Sequence, residues 1–385
     1  MDYNLTTEEE LIKKVAKEFS ESVIAPLQEE IHANNEVPGE VLEGMAELGL
    51  FGINAPEDLG GGGASFVSFV SAIEEIAVVS AGVGMIMSVN NMGHTLINFL
   101  GNDEQRKKYI PKLVAGEELA SFAFTEPSTG SDPKQLQVTA VEDGDFFVLN
   151  GTKRFITNSN LKGPMIIVAK EESSSPMSGK ATAFVIDKHC EGYSLSEPWD
   201  KVGVHGGPLF DVYLKDVRIP KENMLGDSGN GMYVLKMTMV FAKVGVCGIC
   251  LGVARAAYEE AVAYAKEKTH RGEAIIKKFE HVRMALTEME MIYNRAKWVT
   301  YHYAWALDGN IGDPFVLAKL AAQAKVEASE AAVDIVRKAM GVLGSYGCVS
   351  DYKLSRLWGD AIVGPQVEGC AATLKVMAGN ISYLA

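Results

Sequence analysis

The sequence predicts an α+β protein with an N-terminal α-helical domain (1–121), a central antiparallel β domain (122–228) and a C-terminal helical domain (229–385). Three observations predict this order. Apolar residues recur at helical spacing near the N-terminus, short alternating or β-branched runs fill the middle, and helical spacing returns after Gly229. The length also exceeds one ordinary domain of roughly 100 to 150 residues, which favours several cores.

The N-terminal domain shows its helical period at Ile12, Val15, Phe19 and Val23. The chain runs directly into a Thr-x-x-Glu start at 6–9, in which each side chain can satisfy a free backbone N–H group of a helix. We therefore expect structure here and no targeting signal.

The central domain is predicted from β-branched or alternating runs at 146–149, 165–168, 183–186 and 212–214. Turn residues bound these runs, as at Asn150-Gly151. This pattern is typical of a compact antiparallel β domain.

Two apolar stripes predict long helices in the C-terminal domain. The first stripe consists of Phe279, Val282, Leu286, Met289, Tyr293 and Ala296. The second consists of Leu317, Leu320, Ala324, Ala328, Ala331 and Ile335, whose small residues allow close helix packing.

Composition excludes several classes of function. The formal net charge of −14 disfavours nucleic acid and anionic membranes as partners, because both reward clustered Lys and Arg. Five cysteines form no paired framework, which favours a reducing compartment, and we expect a cytoplasmic protein.

Two further site types find no support. No Gly-x-Gly-x-x-Gly lies between a strand and a helix, so a Rossmann nucleotide site is not predicted. The histidines lack metal-ligand spacing, and Cys247-x-x-Cys250 lies in an apolar run, so we expect no metal and a buried pair of core cysteines.

Two segments of the β domain are candidates for holding a flat polar ring. In the segment 122–132, Pro127 and Gly130 predict an irregular loop that presents N–H groups and small hydroxyls. In the segment 150–158, Phe155 and Thr157 project from one strand with period two. From the residues alone, ordinary β-domain turns explain both segments equally well.

Glu368 is the candidate base. It is a lone carboxylate in an otherwise uncharged stretch from Ala361 to Leu374. Either it is solvated, or burial raises its pKa from the ordinary value of about 4.3 toward the range that suits proton abstraction.

Together these segments resemble the acyl-CoA dehydrogenase family, in its short-chain or glutaryl-type branch, over the whole chain. The residues that carry the resemblance are Phe124-Thr125-Glu126-Pro127-x-x-Gly130-Ser131-Asp132, Asn150-Gly151-Thr152-Lys153-x-x-Ile156-Thr157-Asn158, Val217-Arg218-Ile219-Pro220-x-Glu222-Asn223-Met224-Leu225-Gly226, Leu251-Gly252-Val253-Ala254-Arg255 and Gly344-x-Tyr346-Gly347.

The resemblance implies a C-terminal four-helix bundle, a homotetramer, FAD as cofactor, an acyl-CoA substrate and an electron-transferring flavoprotein as electron acceptor. Glu368 matches the family's base, since Ala242 fills the alternative position on a preceding helix. The implied FAD contacts are Phe122, Phe124, Thr125, Ser131, Phe155, Thr157, Lys268, Gly341 and Cys370. The implied substrate contacts are Ser131, Lys243, Val367, Gly369 and Asn91.

The chain departs from the family's pattern at several of these positions. Lys268 stands where many relatives have an Arg that grips the neighbouring subunit's FAD, and a lysine loses the planar fork. Gly341 replaces a usual Gln, Cys370 a usual Thr and Lys243 a usual Arg. We expect modest FAD affinity.

The substrate pocket also differs. Val367 stands where many relatives have Tyr, and Gly84 where glutaryl-type relatives have Arg, which favours an uncharged, branched or cyclic acyl group. Two alternatives stay open: an enoyl-CoA reductase that runs the same chemistry in reverse, and a catalytically silent relative that acts as a scaffold.

Overall fold

Thr6 and Glu9 start the first helix as their spacing predicts. The Thr6 hydroxyl accepts a hydrogen bond from Glu9 N–H at 3.3 Å, and the Glu9 carboxylate accepts one from Thr6 N–H at 2.8 Å. This capping box satisfies two N–H groups that a helix leaves free. The structure is a computed structural model, and it describes residues 4–130 and 135–384.

The N-terminal domain is helical, as predicted. Its α-helices are α1 (Thr7–Phe19), α2 (Ala25–Asn34), α3 (Gly39–Glu47), α4 (Phe66–Val79), α5 (Ala81–Leu100) and α6 (Asp103–Val114), with a π-helical turn at Ser20–Ile24. Helices α4 and α5 are buried along most of their length.

The central domain is a seven-stranded sheet. Its strands are β1 (Ser121–Ala123), β2 (Thr139–Asp143), β3 (Phe146–Thr157), β4 (Pro164–Glu172), β5 (Ala181–Asp187), β6 (Tyr193–Leu195) and β7 (Leu209–Pro220). The order is β1-β4-β2-β3-β7-β6, and β5 pairs with β4.

The sheet is mixed, which corrects the prediction of a purely antiparallel domain. Strands β1 and β2 both pair with β4 in parallel, at Met165 to Ile167 and at Lys170 to Glu172, while the other pairings are antiparallel. Both run along the same edge of β4, and the loop after Ala123 interrupts what would be one strand. Local alternation predicts a strand but not the direction of its partner.

The C-terminal domain consists of long helices. Its elements are α7 (Gly231–Phe241), α8 (Lys243–Glu267), the hairpin β8 (Thr269–His270) and β9 (Glu273–Ala274), α9 (Ile275–Lys278), α10 (Glu280–Trp305), α11 (Pro314–Leu343), α12 (Lys353–Val363) and α13 (Ala371–Tyr383). Helix α11 packs against α8, α10 and α13, which gives a four-helix bundle. The predicted stripes are buried at positions such as Met289 and Ile335.

Two glycines allow α8 to approach the N-terminal domain closely. A Cβ atom at Gly248 would lie 2.3 Å from Ile73 Cγ2, and one at Gly252 would lie 2.6 Å from Ala77 Cβ. Any larger residue would therefore separate α8 from α4. The predicted core cysteines, Cys247 and Cys250, are buried in the same helix.

An ion-pair network ties these two helices together. Arg255 donates to both carboxylate oxygens of Glu75, at 2.8 and 2.6 Å, while Tyr293 of α10 donates to Glu74 at 2.5 Å. Bidentate pairing fixes distance and orientation together. The C-terminal bundle is thereby held to the N-terminal domain at a defined position.

The stretch Gly231–Glu267 is long and apolar enough to cross a membrane by composition, but 89% of its most apolar window is buried inside the protein. This is the pattern of a core helix. Within residues 4–130 and 135–384, no group of three or more His, Cys, Asp or Glu side chains is placed to hold a metal ion.

Candidate active site

Glu368 lies in the turn between α12 and α13. Its backbone is left-handed, with φ of 51°, and Gly369 follows with φ of 91°. Gln366 N–H donates to Val363 O at 2.9 Å and Ala371 N–H donates to Pro365 O at 2.8 Å, which closes the turn. Among the described residues, the N–H groups of Glu368 and Gly369 have no acceptor and can bind a ligand.

Glu368 is half-buried. Burial raises its pKa, and the positive charges of Lys243 and Lys325 partly oppose that rise. Of the two alternatives open at the sequence level, the structure therefore favours a base with a raised pKa over a fully solvated carboxylate.

Two buried lysines approach Glu368 from different helices. Lys243, at the start of α8, donates to Met239 O at 2.7 Å, and burial lowers its pKa to about 8. Lys325, in the middle of α11, donates to Gly369 O at 2.9 Å, and burial lowers its pKa as well. Lys243 was predicted to bind substrate, and its position beside Glu368 leaves that prediction open.

Lys325 was missed by the sequence analysis. It falls next to Ala324 on the apolar stripe of α11, and its side chain is fully buried. A lysine at a core position of a helix is the signal that could have found it, because Lys is almost never fully buried without a partner.

A small enclosed cavity begins beside Val367. It lies between α5, α8 and α12, and its lining includes Met85, Val204, Ile249, Asp360, Val363 and Val367. Among the described residues that line the cavity, Asp360 is the only one with an ionisable carboxyl or amino group. Its Oδ1 accepts a hydrogen bond from Val204 N–H at 2.5 Å. Asn91 is not among those lining residues. Its amide instead bonds Asn54 and approaches His94 at 3.3 Å.

The two candidate ring-binding segments meet at the C-terminal end of β3. Arg154 N–H donates to Thr125 O at 2.8 Å, which places the Thr125 loop beside Phe155. A bulge in the β3–β7 pairing and a φ of 60° turn Phe155 outward, and 49% of it is exposed. The buried Oδ1 of Asn158 has no hydrogen-bond partner among the described residues, and Thr125 and Thr157 are half-buried.

Buried polar contacts hold the Thr125 loop against β3. Lys153 donates to Glu126 at 2.8 Å and to Phe124 O at 3.0 Å. Phe124 is buried and Phe122 half-buried, so both support the loop from its strand side. Ser131, predicted to contact the cofactor and the substrate, lies outside the described residues.

The remaining predicted cofactor residues lie at the other end of the C-terminal domain or beside the Glu368 turn. Lys268 is exposed and its ammonium group lies 5.1 Å from the centre of the Tyr346 ring, just past the end of α11. Gly341 is exposed in the last turn of α11. Cys370 follows Gly369, and its sulfur lies 3.4 Å from the Thr373 hydroxyl. The roles of these residues stay predictions.

Fold and site define a flavin-dependent oxidoreductase, and comparison with family models confirms the resemblance. The models described as acyl-CoA dehydrogenase N-terminal, middle and C-terminal domains match residues 6–117, 121–217 and 229–379. The chain belongs to the acyl-CoA dehydrogenase family, whose members are FAD-dependent and act on CH–CH groups.

Individual relatives span the full length. The chain is 37% identical to a 3-(aryl)acrylate reductase of Clostridium sporogenes over 98% of this chain and 99% of that protein. It is 34% identical to the caffeyl-CoA reductase-Etf complex subunit CarC of Acetobacterium woodii, over 96% and 97%. The structure of butyryl-CoA dehydrogenase from Megasphaera elsdenii matches with a TM-score of 0.94 at 30% identity, covering 100% of both chains.

The residues at the C-terminal end of β3 and in the Thr125 loop fit the flavin ring. FAD carries a flat ring with hydrogen-bonding atoms along its rim. The end of β3 offers the hydroxyls of the half-buried Thr125 and Thr157, the unpaired buried amide oxygen of Asn158 and the outward face of Phe155. Unpaired polar atoms inside a protein call for a partner, and the flavin rim can supply one. Thr125, Thr157 and Phe155 are therefore the residues that would hold the ring.

Proposed function

We propose that this chain moves two hydrogens between the α and β carbons of a coenzyme A thioester, with Glu368 as the base. The observation that carries the proposal is the Glu368 turn, where a carboxyl group of raised pKa and an unpaired N–H group belong to the same residue. Such a turn can bind a carbonyl oxygen and remove a neighbouring proton.

The proton step follows from that arrangement. The unpaired N–H of Glu368 donates to the thioester carbonyl, which makes the α proton more acidic. The carboxylate then removes this proton. Because burial raises the pKa of Glu368, the carboxylate is a stronger base than an exposed glutamate, which helps it to act near neutral pH.

Bound FAD would supply the acceptor for the hydride that leaves the β carbon. The protein's part is to place the ring and keep water away. Thr125, Phe155 and Thr157 orient the ring at the C-terminal end of β3. Lys268 and Gly341 are proposed to contact the rest of the cofactor across a subunit boundary.

The acyl group is proposed to be uncharged. No lysine or arginine is among the described residues that line the cavity beside Val367, so nothing there pairs with a second carboxylate. A Cβ atom at Gly84 would already lie 3.2 Å from Ile249 Cγ1, so this part of α5 has little room for the longer Arg of glutaryl-type relatives. Val367 is smaller than the Tyr that many relatives carry at this position, which supports a branched or cyclic group.

A second candidate is the reverse reaction, reduction of an enoyl-CoA. The relative of 37% identity is named as a 3-(aryl)acrylate reductase, and that name favours the reductive direction and an aromatic acyl group. The name of CarC supports an electron-transferring flavoprotein as the electron partner in either direction.

We further propose that the chain forms a homotetramer in the cytoplasm. Met284, Met291, Trp298 and Trp305 repeat every seven residues on α10, and between 37% and 66% of each is exposed. An exposed apolar stripe of this length supports a contact with another copy of the chain. All five cysteines are free thiols, as a reducing compartment would leave them.

The test is the visible spectrum of the purified protein without oxygen. Saturated acyl-CoAs with straight, branched, cyclic, aryl and dicarboxylic chains are added, and bleaching of the flavin by one class identifies the substrate. The reductive direction is tested by adding enoyl-CoAs to the pre-reduced protein.

Glu368→Gln is the matched variant, since it keeps the shape and removes the base. Bleaching should slow by roughly 10² to 10⁴-fold while FAD stays bound. A yellow protein that reacts in neither direction would contradict the proposal, and a protein that cannot be loaded with FAD would favour the silent scaffold.

A further inference from the structure

The turn that carries Glu368 holds an unfavourable backbone. A non-glycine residue in the left-handed region is strained because its Cβ atom crowds the backbone, and Glu368 adopts this region directly before Gly369, which is also left-handed. The backbone bonds that close the turn join Val363 to Gln366 and Pro365 to Ala371. None of them is donated by Glu368 or Gly369, so another contact must hold these two residues.

Lys325 supplies that contact from a different helix. Its ammonium group donates to Gly369 O at 2.9 Å, which is its one hydrogen-bond acceptor among the described residues. The carbonyl that Lys325 holds therefore belongs to the residue directly after Glu368. Fixing the Gly369 carbonyl restricts the rotation of Glu368.

The charge of Lys325 acts on the same residue. A buried ammonium group with a single hydrogen bond is costly, so a nearby negative charge is needed to retain it. Charged or titratable groups face this region from every helix packed against it: Lys243, Cys247 and Cys250 on α8, Tyr303 on α10, Lys325 on α11, and Cys370 at the start of α13.

We propose that Lys325 is a positioning residue for the reaction, which holds the Gly369 carbonyl and thereby directs both the carboxylate and the N–H group of Glu368 toward the thioester. This inference rests on the proposed function of Glu368. In this role Lys325 acts on the reaction only through Gly369 and Glu368.

The variants separate the hydrogen bond from general packing. Lys325→Met removes the donor and the charge but keeps the length, whereas Lys325→Arg keeps both. Lys338→Met is the control, because Lys338 lies on the same helix and pairs with Glu288 at 2.6 Å on the surface. If Lys325→Met fails to fold, Lys325→Gln is measured in its place with the same expected outcomes. It removes the charge, and its side chain is too short to place a donor where the Lys325 ammonium group lies.

The first readout needs no turnover. Hydrogen–deuterium exchange of the peptide covering 364–371 should accelerate about 10-fold or more in Lys325→Met, because the turn loses its contact with α11. Exchange should stay at the wild-type rate in Lys325→Arg and Lys338→Met.

The second readout is the rate of flavin reduction against pH. With FAD content unchanged, Lys325→Met should react roughly 10²-fold more slowly at saturating substrate, since small displacements of a catalytic group cost that much. Its rate should rise at higher pH than in the wild type, because a positive charge near Glu368 is gone. Lys325→Arg should recover most of the rate and the wild-type pH profile.

Wild-type exchange and rate in Lys325→Met would overturn the inference. So would a slow Lys325→Met whose exchange and pH profile are those of the wild type, because that result shows only a packing defect. If instead no acyl-CoA bleaches the wild type and no enoyl-CoA reoxidises its pre-reduced form, or if Glu368→Gln is fully active, the proposed function has failed. The exchange result then reports only whether Lys325 holds the turn.

Discussion

The ammonium group of Lys153 lies 2.8 Å from the Glu126 carboxylate, and at most 1% of either side chain is exposed. Lys153 also donates to Val168 O at 2.6 Å, and Glu126 accepts from Gln137 N–H at 2.7 Å. This pair therefore joins three segments beneath the Thr125 loop, which is where the flavin ring is expected.

Lys153→Met should destabilise the protein strongly. The variant leaves the Glu126 charge buried without its partner, which typically costs about 3 to 5 kcal/mol. Urea unfolding measures the loss, and Lys170→Met is the control, because the Lys170–Glu172 pair at 3.7 Å is exposed and should contribute at most about 1 kcal/mol. Similar losses in both variants would contradict the role of the buried pair.

The pH dependence of the reaction should have opposite signs in its two directions. Burial raises the pKa of Glu368, opposed by Lys243 and Lys325. Dehydrogenation needs the carboxylate, so flavin reduction by acyl-CoA should rise with pH through this pKa and then level off. Reduction of an enoyl-CoA needs the protonated form and should fall over the same range. Stopped-flow rates between about pH 5 and 9 test both, and a limb that survives in Glu368→Gln belongs to another group.

Lys268→Ala should weaken FAD binding without changing the chemistry of the protein that stays loaded. The side chain is exposed beside Tyr346 and has the charge to bind a pyrophosphate. Dialysis followed by the absorbance ratio of flavin to protein measures retention. Lys268→Arg should retain at least as much FAD, because a guanidinium fork binds phosphate at two points. Full retention in Lys268→Ala would show that this lysine is not the family's grip.

Gly359→Ala should destabilise the protein, whereas Gly379→Ala should stabilise it. A Cβ atom at Gly359 on α12 would lie 2.0 Å from Val202 O, so the loop that meets α12 must move, at a cost of about 1 to 3 kcal/mol. At Gly379 on α13 no atom lies within 4 Å, and alanine in a helix gains about 0.5 to 1 kcal/mol. Thermal unfolding of both variants should shift the melting temperature in opposite directions.

Lys188 should make stability increase with pH. Burial lowers its pKa to about 7, while its ammonium contacts are to Leu119 O, Asn158 O and the Ser121 hydroxyl. The unfolded chain then binds more protons than the folded one between about pH 7 and 10, so the free energy of unfolding rises across that window. Urea midpoints at several pH values should show a flatter slope in Lys188→Met, and an equal slope would contradict this assignment.

Much of this protein was readable along the chain. The α, β, α order, the Thr6 cap and the apolar stripes of α10 and α11 all depend on residues close in sequence, which periodicity and turn chemistry report directly. The two candidate ring-binding segments were also identified from local sequence, and their role stays a prediction. Glu368 was found for the same reason, because a lone carboxylate in an uncharged stretch is a local feature.

Only the tertiary structure decided which distant residues meet. The parallel pairing of β1 and β2 with β4, the outward turn of Phe155, and the approach of Lys325 to a carbonyl 44 residues away all follow from packing. Such contacts have no local signature, because a lysine on a helix has the same backbone preference whether its ammonium group reaches water or a buried turn. The sequence by itself determined the elements and the candidate base, while the packing of α11 against the Glu368 turn decided what surrounds that base.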